Sequence, residues 1–495
     1  MIGSFKKSHP GRAQDSARGA SLGQNIAIIG FALYAAFAPH SIAGAEIALG
    51  ITGIGWLIRT LATRSLGLRH TKLDFPIWLF VAFTLASSLL SEEPQISIAK
   101  LQSVCVLFLF YITQAIVTRR TAMLLVCIML VSGIAGTLYS VYDLARGRGV
   151  VVKTIASDSP LRHLHVEAGD AIWRINKTRV YSPSDIDKAL RSAPAGAELN
   201  VSLISRGEHV ERSARVVTEQ LKQQASPSGI TSAGRLHRFR ASGWTRHYET
   251  YSEILQILAQ LAIGIALVQL QNHGARLRFI LAITASAIMA LGMVLTAMRT
   301  VLVAFAVGGV VILLRAAKGK TRVAAVVALG VVLALGVFFV WRTRAQDALF
   351  LQDSSASLRL AVARVGAARI LLHPVFGHGM DAVHKHWNEW GFPGDQMLGL
   401  HSTPLQLAFD RGLPALFCWL WIMLTCWLIT TRAERQLRDS SDTNRRGLLL
   451  GATGALAGFF ASSLVNYNFG DAEVALVFWW LMGLVVVLSP REITS

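Results

Sequence analysis

Long apolar runs recur along this chain, beginning near Gln24, Ile42, Leu73, Ile98, Ala122, Tyr251, Phe279, Val301, Val323, Leu413, Leu448 and Val474. Each is long enough to cross ~30 Å of hydrocarbon as a helix, and none shows the alternation of a membrane barrel. The pattern predicts an α-helical polytopic membrane protein with about twelve transmembrane helices. Two polar stretches interrupt it. The first, from Tyr139 to Tyr251, is about a hundred residues of soluble composition, too long for a plain loop, and predicts an inserted domain. Within it GVVVKTIA and ELNVSLISR are β-rich, AIWRINKTRV is a strand and turn, and SPSDIDKALRSA predicts a short helix capped by Ser182 or Ser184. Gln220 to Arg235, rich in Gln, Ser and Gly, predicts a flexible return linker. The second polar stretch, from Arg359 to Gly412, lies between membrane-length runs.

Composition agrees with the pattern: 53% of residues are hydrophobic and 16% charged, too apolar a balance for an ordinary soluble enzyme. A net charge of +19 would suit nucleic acid, but its placement excludes that reading. Lys6, Lys7, Arg12 and Arg18 precede the first run, and Arg59, Arg64, Arg69 and Lys72 follow the second. Further basic clusters mark alternate loops at Arg119, Arg276, Arg315 and Arg432, while the loops between them at Pro39–Gly44, Ser91–Ser97 and Asn466–Asp471 carry no Lys or Arg. That bias predicts both termini cytoplasmic and the large polar stretches on the far side of the membrane. The N-terminal run lacks a convincing cleavage site and is read as a retained helix. All four cysteines fall within apolar runs, so no disulfide is expected.

The second polar stretch concentrates Arg359, Arg364, Arg369, His373, His378, His384, His386 and His401 beside a bilayer. Guanidinium forks suit phosphate, and imidazole suits proton transfer. Arg299 joins them, because loop charge places it at an external hairpin where basic residues are otherwise scarce. A basic and aromatic cluster, Arg240, Trp244, Arg246, His247 and Tyr248, precedes the run at Tyr251, and Glu249 and Glu253 share one helical face. The histidine spacing is neither HExxH nor a repeated ligand pair, so no metal site and no cofactor are expected. Phosphate-cradling glycine loops are absent.

Several of these residues carry a family likeness. Arg359 followed by HPVFGHG, and His401, Leu405 and Gly412 in the pattern H-x3-L-x6-G, resemble the large external loop of the O-antigen ligase superfamily. The Gly-aromatic-His-Tyr run at Gly243–Tyr248 and the helix-end Arg299 resemble further superfamily positions, although Met298 stands where serine is usual and Ser402 where asparagine is usual. The resemblance implies a C-type glycosyltransferase-like membrane fold. It also implies a polyprenyl-diphosphate-linked glycan as donor and lipid A core, or another glycan, as acceptor. Arg299 and Arg359 would stabilise the diphosphate, His401 would activate the acceptor, and Arg240, Arg246, His247, Tyr248, Arg364 and Ser402 would bind substrate. Ligation of O-antigen to lipid A core comes first among the activities. Polymerisation of O-antigen or exopolysaccharide, and protein O-glycosylation, remain open. A transporter, or a structural scaffold in contact with membrane lipids, is the reading from a different class.

Within the insertion, Gly169, Asp170, Ile172, Ile175, Asn176, Val180, the segment Asp185–Leu190 and Gly196 resemble a bacterial PDZ domain. That implies either capture of a periplasmic protein partner by strand addition, with Arg148, Gly149, Val150 and Val151 at the peptide-binding position, or a structural spacer. The expected organisation is N-terminal membrane helices over 1–147, the PDZ-like α+β insertion over 148–218, and a linker over 219–246. Central membrane helices over 247–341, a large periplasmic loop over 342–411 and C-terminal helices over 412–495 complete it.

Overall fold

The computed structural model describes residues 10–205, 208–237, 239–245, 247–271, 276–316, 354–394 and 399–494, with the single positions 327, 330 and 334. It divides into a helical unit, 1–137 with 242–495, and a smaller unit, Leu138–Ala241.

Among the described residues, eight helices are long and apolar enough to cross a membrane. Four of the twelve expected runs are not among these eight. The runs near Leu73 and Val474 form helices of 17 residues each, Asp74–Leu90 and Ala472–Leu488, about 26 Å long at 1.5 Å per residue. The run near Leu448 lies in the helix Thr443–Ser463, whose arginines and glycines dilute its apolar character. The run expected from Val323 lies outside the described residues, apart from isolated positions.

The helix Tyr248–Leu270 is the centre of the helical unit. It is buried on nearly every face, against Arg276–Thr296, Arg299–Ala316 and Thr443–Ser463. Small residues permit the closest approach: a Cβ on Gly264 would collide with the backbone of Gly451. Two of its buried amides reach neighbouring helices, with Gln260 donating to the Phe305 carbonyl at 3.2 Å and Gln269 to Asn444 at 2.8 Å.

The smaller unit is an antiparallel sheet in the order β5-β4-β2-β1-β6, with β3 paired to β2. The strands are β1 (Arg148–Ile155), β2 (Ala171–Ile175), β3 (Thr178–Arg179), β4 (Leu199–Ser205), β5 (Glu208–Ala214) and β6 (Ile230–Leu236). The helix Pro183–Ser192 opens on a capping box between Ser182 and Asp185, and Ile186 and Leu190 from it enter a core with Val152, Ile172 and Val201. Two expectations change here. The segment read as a flexible linker supplies β6, because its β-branched Ile230 and Thr231 let it pair with β1 and Ile230 joins the core. The proposed peptide position, Arg148–Val151, therefore sits in an interior strand with β2 on one side and β6 on the other. A peptide cannot add beside β1 unless β6 leaves. Arg148 is itself buried, donating to Asp143 and lying 4.2 Å from the centre of the Phe239 ring.

Candidate active site

The HPVFGHG segment is built into a break in a helix. Thr403–Gln436 is helical except at Gly412, whose φ of 83° and ψ of 169° interrupt it ahead of Pro414. The loop runs alongside that break. Leu413 N donates to the Pro374 carbonyl at 2.8 Å, His378 N to the Phe409 carbonyl at 2.8 Å, and Gly379 N to the Asp410 carbonyl at 3.0 Å. Glycine is required at the crossing, since a Cβ on Gly412 would run into the Val375 carbonyl. Ser87 ties a third segment in, donating to the Phe376 carbonyl at 2.5 Å and the Asp410 carbonyl at 3.0 Å.

Beside this junction lies a cavity of about 420 Å³. Its wall includes His401, Asp410, Arg411, Glu253, Asn466 and Asn468. His401 precedes the helix Thr403–Gln436 in the left-handed region, φ 52°, a strained conformation that histidine tolerates better than most residues. Its Nε2 is buried with no hydrogen-bond partner among the described residues. Burial, and then the positive charge of Arg359, push its pKa down to about 4, so the ring is neutral at ordinary pH and able to accept a proton. Arg359 sits on the helix Ser354–Ile370, which packs through Val362 and Val365 on Leu400, Leu405 and Ala408. Its Nε is likewise buried without a partner among the described residues. The charge of Arg359 reaches the His401 ring, and each residue leaves one buried nitrogen open among the described residues.

The remaining expected residues separate. Arg299 is exposed at the start of Arg299–Ala316. The adjacent Thr300 accepts from Asn466 of the cavity wall at 3.1 Å, which ties this helix start to the cavity. His247, Glu249 and Glu253 line the cavity, as the shared face of the two glutamates requires. Tyr248 packs against the apolar core instead. Arg364 is exposed, and Ser402 caps its helix by accepting from Leu405 N at 3.5 Å, a structural employment of the hydroxyl. Arg240 belongs to the smaller unit, and Arg246 lies outside the described residues.

Sequence reasoning missed Arg411 and Asp410. Arg411 is buried in the cavity wall, with its guanidinium 5.2 Å from the centre of the Phe80 ring and one long hydrogen bond, 3.4 Å, to Thr84. Asp410 accepts from Gln406 at 2.8 Å. An adjacent acid and base inside a membrane-length helix was the available signal. Glu253 was noticed only for its spacing. It accepts from Ser462, from Asn466 at 3.1 Å and from Asn468 at 3.4 Å, which makes it the hub of the polar wall.

Residues 284–420 match the family described as O-antigen ligase. Over that segment the chain is similar to this family. The segment contains Arg299, Arg359, the HPVFGHG loop, His401 and the Gly412 break, and the match supports glycan transfer of the ligase or polymerase class in a multi-pass membrane protein. A search of curated proteins finds no match.

Proposed function

We propose that this protein transfers a glycan from a polyprenyl-diphosphate donor to a hydroxyl acceptor at the periplasmic face of the inner membrane, with lipid A core as the acceptor. The observation that carries the reading is the pair His401 and Arg359, each with an open buried nitrogen, inside the segment similar to the O-antigen ligase family.

The chemistry follows from the charges. His401 Nε2 takes the proton of the acceptor hydroxyl as its oxygen attacks the anomeric carbon. The bond from that carbon to the diphosphate oxygen breaks, and polyprenyl diphosphate leaves with the electron pair. Arg359 and Arg299 stabilise the charge that develops on it. A diphosphate near Arg359 also offsets the guanidinium charge that lowers the His401 pKa, so donor binding makes the ring a stronger base. Glu253 and the asparagines of the wall are suited to sugar hydroxyls, which both donate and accept. No metal or cofactor enters this scheme.

Joining repeat units is the alternative in the same class, since it differs only in the acceptor. Deleting the gene and analysing surface glycans together with lipid-linked precursors separates the two. Loss of ligation leaves long lipid-linked chains and bare core, whereas loss of polymerisation leaves single repeat units. Unchanged glycans and precursors would overturn the proposal.

A further inference from the structure

Outside the cavity wall, one cluster is assembled from distant segments and has no part in the proposed transfer. Glu92 lies in the turn between the helices Asp74–Leu90 and Pro94–Lys100, and its two carboxylate oxygens face two histidines of the HPVFGHG segment. Glu92 Oε1 is 2.8 Å from His373 Nε2, and Glu92 Oε2 is 3.1 Å from His378 Nδ1. The donor atoms of all three residues lie within 4.8 Å of one another.

The tautomer of His378 decides what this arrangement can hold. Its Nε2 is 3.0 Å from the Arg369 carbonyl oxygen, which can only accept, so Nε2 carries the hydrogen. In the neutral ring Nδ1 is then a lone pair directed at a carboxylate oxygen. Two acceptors at that distance repel unless a cation, a proton or a metal ion, lies with them. A ring nitrogen held by a backbone carbonyl while the other faces a carboxylate and a second imidazole is the arrangement metal-ligating histidines adopt. The ring is also immobile: it is fully buried, stacked on Phe409 at 4.6 Å and packed on Trp390 at 4.8 Å. His373 and Glu92 remain partly exposed, which gives an ion a route in and leaves a coordination position for water.

We propose that Glu92, His373 and His378 bind one divalent transition-metal ion of the zinc type. Two imidazole nitrogens and a carboxylate oxygen suit zinc, cobalt or nickel and are too nitrogen-rich for magnesium or calcium. Four ligands about 2.05 Å from zinc stand about 3.3 Å apart at the corners of a tetrahedron, within the range of the spacings present here. The ion clamps the turn at Glu92 to the loop that seats the Gly412 break, and so fixes one side of the cavity wall. Its role is structural, and the inference does not depend on the glycan reading.

The test uses the full chain, purified without a polyhistidine tag and stripped with a chelator, then dialysed against limiting zinc or cobalt. One ion per chain is expected, with the visible bands of four-coordinate cobalt and a rise in unfolding temperature on loading. Glu92→Gln and His373→Ala, both at partly exposed side chains, should weaken binding at least tenfold and remove the bands and the rise. His386→Ala, in the neighbouring cluster with Glu93 and Glu389, should keep all three. Metal content at background in the wild-type chain would show that a proton alone holds the cluster and would overturn the proposal. So would binding lost in His386→Ala and kept in Glu92→Gln.

Discussion

At the residue scale, two buried nitrogens have no hydrogen-bond partner among the described residues. A neutral His401 is a proton acceptor, kept neutral first by burial and then by the charge of Arg359. His401→Ala should therefore lower kcat by roughly a hundredfold to a thousandfold with protein abundance near normal, measured with saturating lipid-linked donor. Arg359→Lys should recover little, because an ammonium is a point charge without the planar fork. The pH profile carries a sharper expectation. A histidine must lose its proton to act as base, so activity falls as pH drops through its pKa. In the free protein that value is about 4, and kcat/KM should stay level down to that region and decline below it. Bound diphosphate offsets Arg359, so the acid limb of kcat should lie at higher pH than that of kcat/KM. Coincident limbs would remove Arg359 from the donor site.

At the scale of elements, the broken helix organises the site. Gly412→Ala places a Cβ against the Val375 carbonyl and forces alanine into φ 83°, so it should cost more than about 1 kcal/mol of stability and displace the HPVFGHG loop. Thermal unfolding in detergent, beside a Leu413→Ala control on the exposed neighbour, measures this. Much of the element plan was legible in the sequence, because apolar runs and β-rich segments have periods that local physics imposes. The HPVFGHG loop and His401 stand out in the sequence too, as imidazoles gathered beside an apolar run. What escaped was pairing between distant segments. Nothing near Glu92 announces that its partner His378 lies 286 positions away, and nothing in the polar composition of the return segment shows that β1 will pair with it. Arg411 was hidden for a different reason. It looked like the last polar residue before a membrane run, whereas the break at Gly412 makes it part of the wall.

The smaller unit has its own core, and that bears on how it can be removed. Excision should take 148–236 together, since cutting at 218 would strand β6 without its partner. Replacement by a flexible linker should preserve donor consumption by the purified protein while altering acceptor choice or chain length. A well-folded but inactive deletion would place this unit in the catalytic machinery.

For the whole molecule, loop charge predicts the orientation that the proposed transfer requires. Reporters fused after Gly147 and within Gly391–Gly399 should lie in the periplasm, and one near Lys318 in the cytoplasm. A cytoplasmic His401 loop could not serve an acceptor on the periplasmic face. The most direct test of the central claim is transfer by the purified protein reconstituted with a labelled polyprenyl-diphosphate glycan and lipid A core. The account predicts that the wild-type chain moves label to the core and releases polyprenyl diphosphate, and that His401→Ala binds the donor yet transfers roughly a hundredfold more slowly or worse. Wild-type rates from His401→Ala would contradict it.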